Sequence, residues 1–201
     1  LELSLPQESR GNFIAWYQSR FAKDAEIVVS TGIDRARIMK DRFGLSELPL
    51  VIQNCPLYFE SKKQDLLREI LKGKNCKANF IVIYQGGLNS DRCILEMIRS
   101  VNMWKENAVL VIIGYGQKDY INKIKEEIEK QNLKDRVFYF GWISGSKEEF
   151  LKFISGADLG IALHRYKGNK SQNVVYWTPT KLYEYIACGL PVVVSDNPSL
   201  K

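Results

Sequence analysis

The chain has 201 residues and a formal net charge of +6 at pH 7. Hydrophobic residues make up 45% and charged residues 26%, which is ordinary globular usage and excludes a disordered tail, a collagen-like repeat and a coiled-coil rod. No apolar run approaches the roughly 20 residues that span a bilayer, and the opening LELSLPQESR has neither the basic nor the apolar region of a signal peptide. In chain order, residues 10–22 read as a helix, EIVVS (26–30) as a strand, 32–44 as a helix and PLVIQN (49–54) as a strand. This single βαβ unit is too small to bury its own core, so residues 1–54 read as the end of another α/β domain. The charged stretch within 55–78 reads as an interdomain linker.

From residue 79 onward strand and helix patterns alternate. IVIY (81–84), VLVII (109–113), VFYF (137–140), DLGIAL (158–163) and PVVVS (191–195) are the strand runs. Between them lie the helical spacing of Ile94, Ile98 and Val101, an amphipathic stretch at 118–131, EEFLKFIS at 148–155 and PTKLYEYIAC at 179–188, with Gly189 just past its end. Apolar strands alternating with amphipathic helices predict a Rossmann-like α/β domain over 79–201, a parallel sheet covered on both faces. The chain opens in mid-pattern without Met and stops directly after the fifth strand. It therefore reads as a fragment, predicted to leave apolar surface at 13–17 and 192–194 uncovered and to be inactive alone.

Cys55, Cys76, Cys93 and Cys188 show no CxxC spacing and His164 is the single histidine. No zinc site is expected, and free, mostly buried thiols in a reducing compartment are. The positive excess is spread along the chain rather than gathered in a tail. It suits a nucleotide ligand, an anionic membrane surface or an ordinary solvated surface.

Ligands of a doubly wound sheet bind at the carboxyl ends of its strands. The loops there are 85–91, 115–118, 142–146 and 164–178. In TPTK, Thr178 is expected as the N-cap and Pro179 at the first helical position. The N–H groups of Thr180 and Lys181 would then offer a phosphate site, although a well-capped surface helix carries the same pattern. Glu184 is either a solvated glutamate pairing with Lys181 at i,i+3 or a carboxylate accepting from sugar hydroxyls. The turn YQGGLNSDR offers Gly86 and Gly87 for close backbone approach to a phosphate and Arg92 for charge, with neither GxxxxGK[ST] nor GxGxxG present. GYG at 114–116 reads as a turn, Asp158 as structural, and His164 as a packing or hydrogen-bonding residue. Trp104, Trp142 and Trp177 are expected near the site side, with Trp142 able to stack on a base or to pack in the rim.

In this order the segments resemble the retaining GT-B glycosyltransferases of family 4, and the resemblance covers nearly the whole chain. AEIVVSTGIDRARIMKDRFGLSELPLVIQNCP resembles the end of that family's N-terminal domain, and IVIYQGGLNSDRCI its G-R-L-x-x-x-K-G turn. TPTKLYEYIACGLPVVVSDNP resembles its E-x7-E helix followed by A-x-G-x-P-V-V. The resemblance implies that Glu184 binds the nucleotide ribose and that Thr180 and Lys181 form the phosphate-binding helix start. It further implies a base loop near Trp142 and Ile143. The family's first Glu falls on Tyr176, its turn Arg on Gly87 and its turn Lys on Arg92, with Lys181 as the replacement charge.

The resemblance thus implies transfer of a sugar, with retention, from a nucleotide-sugar to a glycan or lipid-linked acceptor in envelope or capsular polysaccharide synthesis. Arg92 and Lys181 are the catalytic charges, and Gly86, Gly87, Trp142, Ile143, Thr180 and Glu184 bind the donor. The acceptor falls to the N-terminal domain, no metal or other cofactor is expected, and nucleic acid is not a partner. The location implied is cytoplasmic, with peripheral association at the inner face of the membrane. A GT-B-fold nucleotide-sugar epimerase and a non-catalytic nucleotide-sugar binding module are the alternatives.

Overall fold

The computed structural model describes residues 10–57, 63–165, 175–176 and 178–200. The described residues within Leu1–Cys55, Tyr166–Thr178 and Asp196–Lys201 form one compact unit, and those within Pro56–Arg165 and Pro179–Ser195 form a second.

The first unit contains helix α1 (Arg10–Phe21), strand β1 (Val29–Ser30), helix α2 (Ile33–Phe43) and strand β2 (Leu50–Val51), with β1 and β2 parallel. Ala22, Met39 and Phe43 form its small core. Both strands are shorter than the runs 26–30 and 49–54 read from sequence. Each has one neighbour, and the pairing bonds reach only from Val28 to Ile52, leaving Ile27 and Ile52 exposed.

The second unit is the Rossmann-like α/β domain. Its elements are α3 (Leu66–Gly73), β3 (Phe80–Gln85), α4 (Ile94–Ser100), β4 (Ala108–Ile113), α5 (Lys118–Lys130), β5 (Val137–Gly141), α6 (Lys147–Ile154), β6 (Leu159–Ala162), α7 (Thr180–Ala187) and β7 (Val192–Val194). The five strands are all parallel in the order β5-β4-β3-β6-β7. Val82, Tyr84, Leu110 and Ile112 join Ile94, Ile98, Ile124 and Ile128 of α4 and α5 in one apolar layer, where each fully buried side chain is worth about 1.5–3 kcal/mol. α3 lies in the stretch read as a linker, yet it buries Leu67 and Leu71. A helix with such an apolar face packs against a neighbour, here α6, rather than spanning solvent.

Two further expectations change. Of the four free cysteines only Cys188 is buried, and Cys55 is exposed. Trp104 follows α4 and sits with Phe80, Asn107 and Ala108 at the amino ends of β3 and β4, the edge opposite the expected site, where an apolar groove of about 720 Å³ opens. Trp177 lies outside the described residues.

Asp158 has the structural role expected of it. Its carboxylate accepts from Arg68 Nη2 at 2.6 and 2.7 Å, from Lys63 Nζ at 2.6 Å and from the Ile81 N–H at 2.8 Å, so it ties α3 to the starts of β3 and β6. Burial raises its pKa, but Lys63, the Ile81 N–H and Arg68 outweigh that and hold it below the ordinary 3.8. A depressed carboxyl stabilises fully above its unfolded value, and the contribution is lost as pH falls through the folded one. Asp158→Ala should therefore lower stability by about 1–3 kcal/mol at neutral pH, read as an earlier urea midpoint, with the deficit vanishing in acid.

Candidate functional site

The sheet changes direction of growth at β3, so the loops leaving β3 and β6 diverge at their carboxyl ends, the place where sheets of this kind form a ligand crevice. All the residues described next belong to the second unit.

Tyr185 docks α7 into that crevice. It is fully buried, its hydroxyl accepts from the Gln85 N–H at 2.9 Å, and it lies 3.3 Å from the Ile83 carbonyl, to which it donates. A Cβ at Gly160 would stand 2.5 Å from the Tyr185 ring, so only glycine lets β6 receive this side chain. Lys181, four residues earlier, shares the buried face of α7.

Lys181 is 9% exposed. Among the described residues its Nζ has no hydrogen-bond partner, and it rests 3.9 Å from the centroid of the Tyr84 ring. Gly86, at φ +121°, makes room for it, because a Cβ there would come within 3.0 Å of Nζ. The Gly114–Tyr115–Gly116 stretch, expected as a turn, instead runs alongside the Gly86–Leu88 loop: Gly116 forms an isolated parallel bridge with Leu88, and a Cβ at Gly114 would strike the Gly86 carbonyl oxygen at 1.8 Å. Gly87 faces open space, and its carbonyl accepts from the Tyr84 hydroxyl at 2.7 Å.

Burial and then the Arg92 guanidinium hold Lys181 well below the ordinary lysine pKa, against an opposing pull from Glu184. Arg92 ends a short turn opened by Asn89, whose side chain accepts from the Asp91 N–H at 3.1 Å, and burial lowers its own pKa. His164, 6% exposed at the end of β6, is pushed below 6.5 by burial, by Arg92 and more weakly by Lys181. Its backbone is clasped by Ser195, whose Oγ accepts from the His164 N–H at 2.6 Å and donates to the carbonyl at 2.9 Å. Arg92 therefore disfavours charge on both Lys181 and His164 in this desolvated region. A buried ammonium without a hydrogen bond is costly, and a cation in the first turn of a helix opposes the macrodipole. Both penalties fall when an anion enters.

The helix start is displaced by one residue from expectation. Pro179, with an extended ψ of 132°, is the cap residue and Thr180 opens the helix, with no side-chain cap. Thr180 and Lys181 still lie in the first turn, where N–H groups lack helical acceptors.

Glu184 does not pair with Lys181 and is not solvated. It is 5% exposed, its Oε1 accepts from Lys147 Nζ and its Oε2 from Gln85 Nε2. Trp142, 63% exposed in the loop after β5, stands edge-on to Tyr115 after β4 with ring centroids 5.4 Å apart, and Ile143 beside it is half-buried. Sequence reasoning missed Gln85, Lys147 and Tyr185. The Glu-Tyr pair at 184–185 was a visible signal, whereas Gln85 and Lys147 carried none. Among the described residues no group of three or more His, Cys, Asp or Glu side chains could hold a metal ion, and no helix is long and apolar enough to cross a membrane.

The second unit is thus a parallel α/β domain that gathers Lys181, Arg92 and His164 at the switch point of its sheet. Residues 68–201 match the family described as glycosyl transferases group 1, and the chain belongs to that family. It is 22% identical over its whole length to 44% of a chitobiosyldiphosphodolichol β-mannosyltransferase of Yarrowia lipolytica. It is 27% identical over 88% of its length to 41% of an uncharacterised glycosyltransferase of Methanocaldococcus jannaschii. Its fold matches Anabaena HepE, solved in complex with UDP and glucose, at a TM-score of 0.69 and 19% identity, over 98% of this chain and 52% of that one. The chain spans less than half the length of these curated relatives. The GT-B-like parallel α/β fold expected from sequence is present.

Proposed function

We propose that the protein transfers a sugar from a nucleotide-sugar to a glycan or lipid-linked acceptor, with retention at the anomeric carbon. The observation that carries this reading is the Lys181 ammonium, nine-tenths buried and without a hydrogen-bond partner among the described residues, beside Arg92 at the switch point. A nucleoside diphosphate is the anion that fits. Its phosphates would lie between the Gly86-Gly87 turn and the α7 start at Thr180. Its ribose would donate to Glu184, and its base would rest against Trp142 and Ile143.

Departure of the diphosphate builds negative charge in the transition state. Arg92 and Lys181, preorganised and desolvated, stabilise that charge more than the ground state, and Glu184 fixes the donor's position. This assigns charge neutralisation to side chains rather than to a metal. Envelope or capsular polysaccharide is the proposed product. The proposed location is cytoplasmic, peripheral to the inner face of the membrane, on the strength of the mild positive charge and of a relative whose name specifies a dolichol-linked acceptor.

Calorimetric titration with UDP, GDP and ADP tests the donor site. One diphosphate should bind at least tenfold more tightly than its monophosphate, with no change in EDTA. Equal binding of both, or loss in EDTA restored by magnesium, would overturn the assignment. Turnover is tested on the full-length protein with the matching sugar donors, the product anomer read by NMR. Donor binding without transfer would return the binding-module reading, and the opposite anomer would exclude retention.

A further inference from the structure

Glu184 is held from two sides. Gln85 reaches its Oε2 from the end of β3, and Lys147 reaches its Oε1 from the start of α6. Lys147 is the first residue of α6, directly after the capping box in which Ser146 and Glu149 satisfy each other. A cation at that position opposes the helix dipole, so α6 gains nothing from it. The side chain stays half exposed while its ammonium lies 5.5 Å from the Phe150 ring centroid and closes on a carboxylate that is almost fully buried. Lys147 therefore joins the helix that follows the Trp142 loop to the helix that carries Glu184.

A carboxylate offers about four lone-pair sites. Among the described residues Lys147 and Gln85 occupy one on each oxygen, which leaves one on each. Contact at a single oxygen would let the group rotate about its last bond, whereas contact at both fixes its plane. A fixed carboxylate with one open site per oxygen matches two adjacent hydroxyl donors.

Resting on the reading of Glu184 as the ribose ligand, we propose that Lys147 is a positioning residue: it orients the Glu184 carboxylate toward the vicinal diol of the donor nucleotide and so sets the preference for ribose over deoxyribose.

The test titrates wild type, Lys147→Met and Lys147→Arg with UDP and GDP and with their 2′,3′-dideoxy counterparts. In the wild type the ribonucleotide should bind about 10- to 150-fold more tightly than the dideoxy form, the worth of a charged hydrogen-bond contact. Lys147→Met should reduce that ratio to below about threefold while leaving dideoxy affinity nearly unchanged, and Lys147→Arg should restore most of it. Melting curves check that the variants are folded, and Lys147→Gln substitutes if Lys147→Met is not. A full ratio in Lys147→Met would overturn the proposal, as would an equal loss for both nucleotides, which is what a purely structural role produces. Absence of any ratio in the wild type would instead bring down the ribose reading of Glu184.

Discussion

Replacing Lys181 by Met should raise the stability of the ligand-free protein and remove most of its affinity for nucleoside diphosphate. In the free state the Lys181 Nζ is buried without a hydrogen-bond partner among the described residues, and Arg92 acts on it. A buried unsatisfied group costs about 1–3 kcal/mol, and methionine fills a similar volume against the Tyr84 ring without charge. At about 2–4 °C per kcal/mol for a chain of this size, the melting temperature should rise by several degrees. The same change deletes a charge-assisted contact to phosphate, so diphosphate affinity should fall about 10- to 150-fold. The sign with pH follows from the lowered pKa. Between the folded value of Lys181 and its ordinary 10.5 the unfolded chain binds more protons than the folded one. Wild-type stability therefore rises with pH through that window, and Lys181→Met lacks this rise. Diphosphate binding raises the Lys181 pKa back toward its ordinary value, so at a pH inside that window binding should take up protons, measurable as a dependence of binding heat on buffer ionisation enthalpy. A variant that is less stable and binds normally would show Lys181 to be a packing residue.

The sheet was legible from sequence because its central strands β3 and β4 are buried on both faces and so read as continuous apolar runs, VLVII of β4 above all. The short strands β1 and β2 were overread, since an apolar run shows propensity but not whether a neighbouring strand exists to pair with. The same local reading made a linker of 55–78, because the long charged side chains around α3 obscured the buried Leu67 and Leu71. At the site, the residues next to glycine turns and the α7 start could be named, since Gly86 and Pro179 mark turns by local backbone rules. Their environment could not. Spacing left open whether Lys181 and Glu184 pair on the surface or face a ligand, and burial by the sheet removes the surface pair: Lys181 lies on the Tyr84 ring and Glu184 on Gln85 and Lys147. Those two partners lie 99 and 37 residues away in sequence, and nothing in local spacing points to them. Trp104 failed for a topological reason, because a residue that follows a helix in a βαβ unit sits at the amino edge, opposite the ligand edge.

Glu184→Ala separates the two ends of the donor. The carboxylate is proposed to hold ribose, and its loss removes charged hydrogen bonds worth about 1.5–3 kcal/mol, so nucleoside diphosphate affinity should fall about 10- to 150-fold. Inorganic pyrophosphate depends on Lys181 and Arg92 instead, and its affinity should stay within about threefold of wild type or tighten, because removing Glu184 withdraws the one nearby negative charge that acts on Lys181. The substitution also leaves the Gln85 amide buried without its acceptor, a cost of about 1–3 kcal/mol, whereas Lys147 can turn its ammonium to water because its side chain is 53% exposed. The variant should therefore be folded but less stable than wild type. Glu184→Gln keeps the shape and one acceptor oxygen but loses the charge, and should give an intermediate loss. Calorimetry with both ligands, beside a melting curve, reads every term. A drop in stability with nucleotide affinity unchanged would make Glu184 a structural partner of Gln85 and Lys147 alone, and parallel losses for nucleotide and pyrophosphate would mean that the carboxylate shapes the phosphate crevice rather than contacting the sugar.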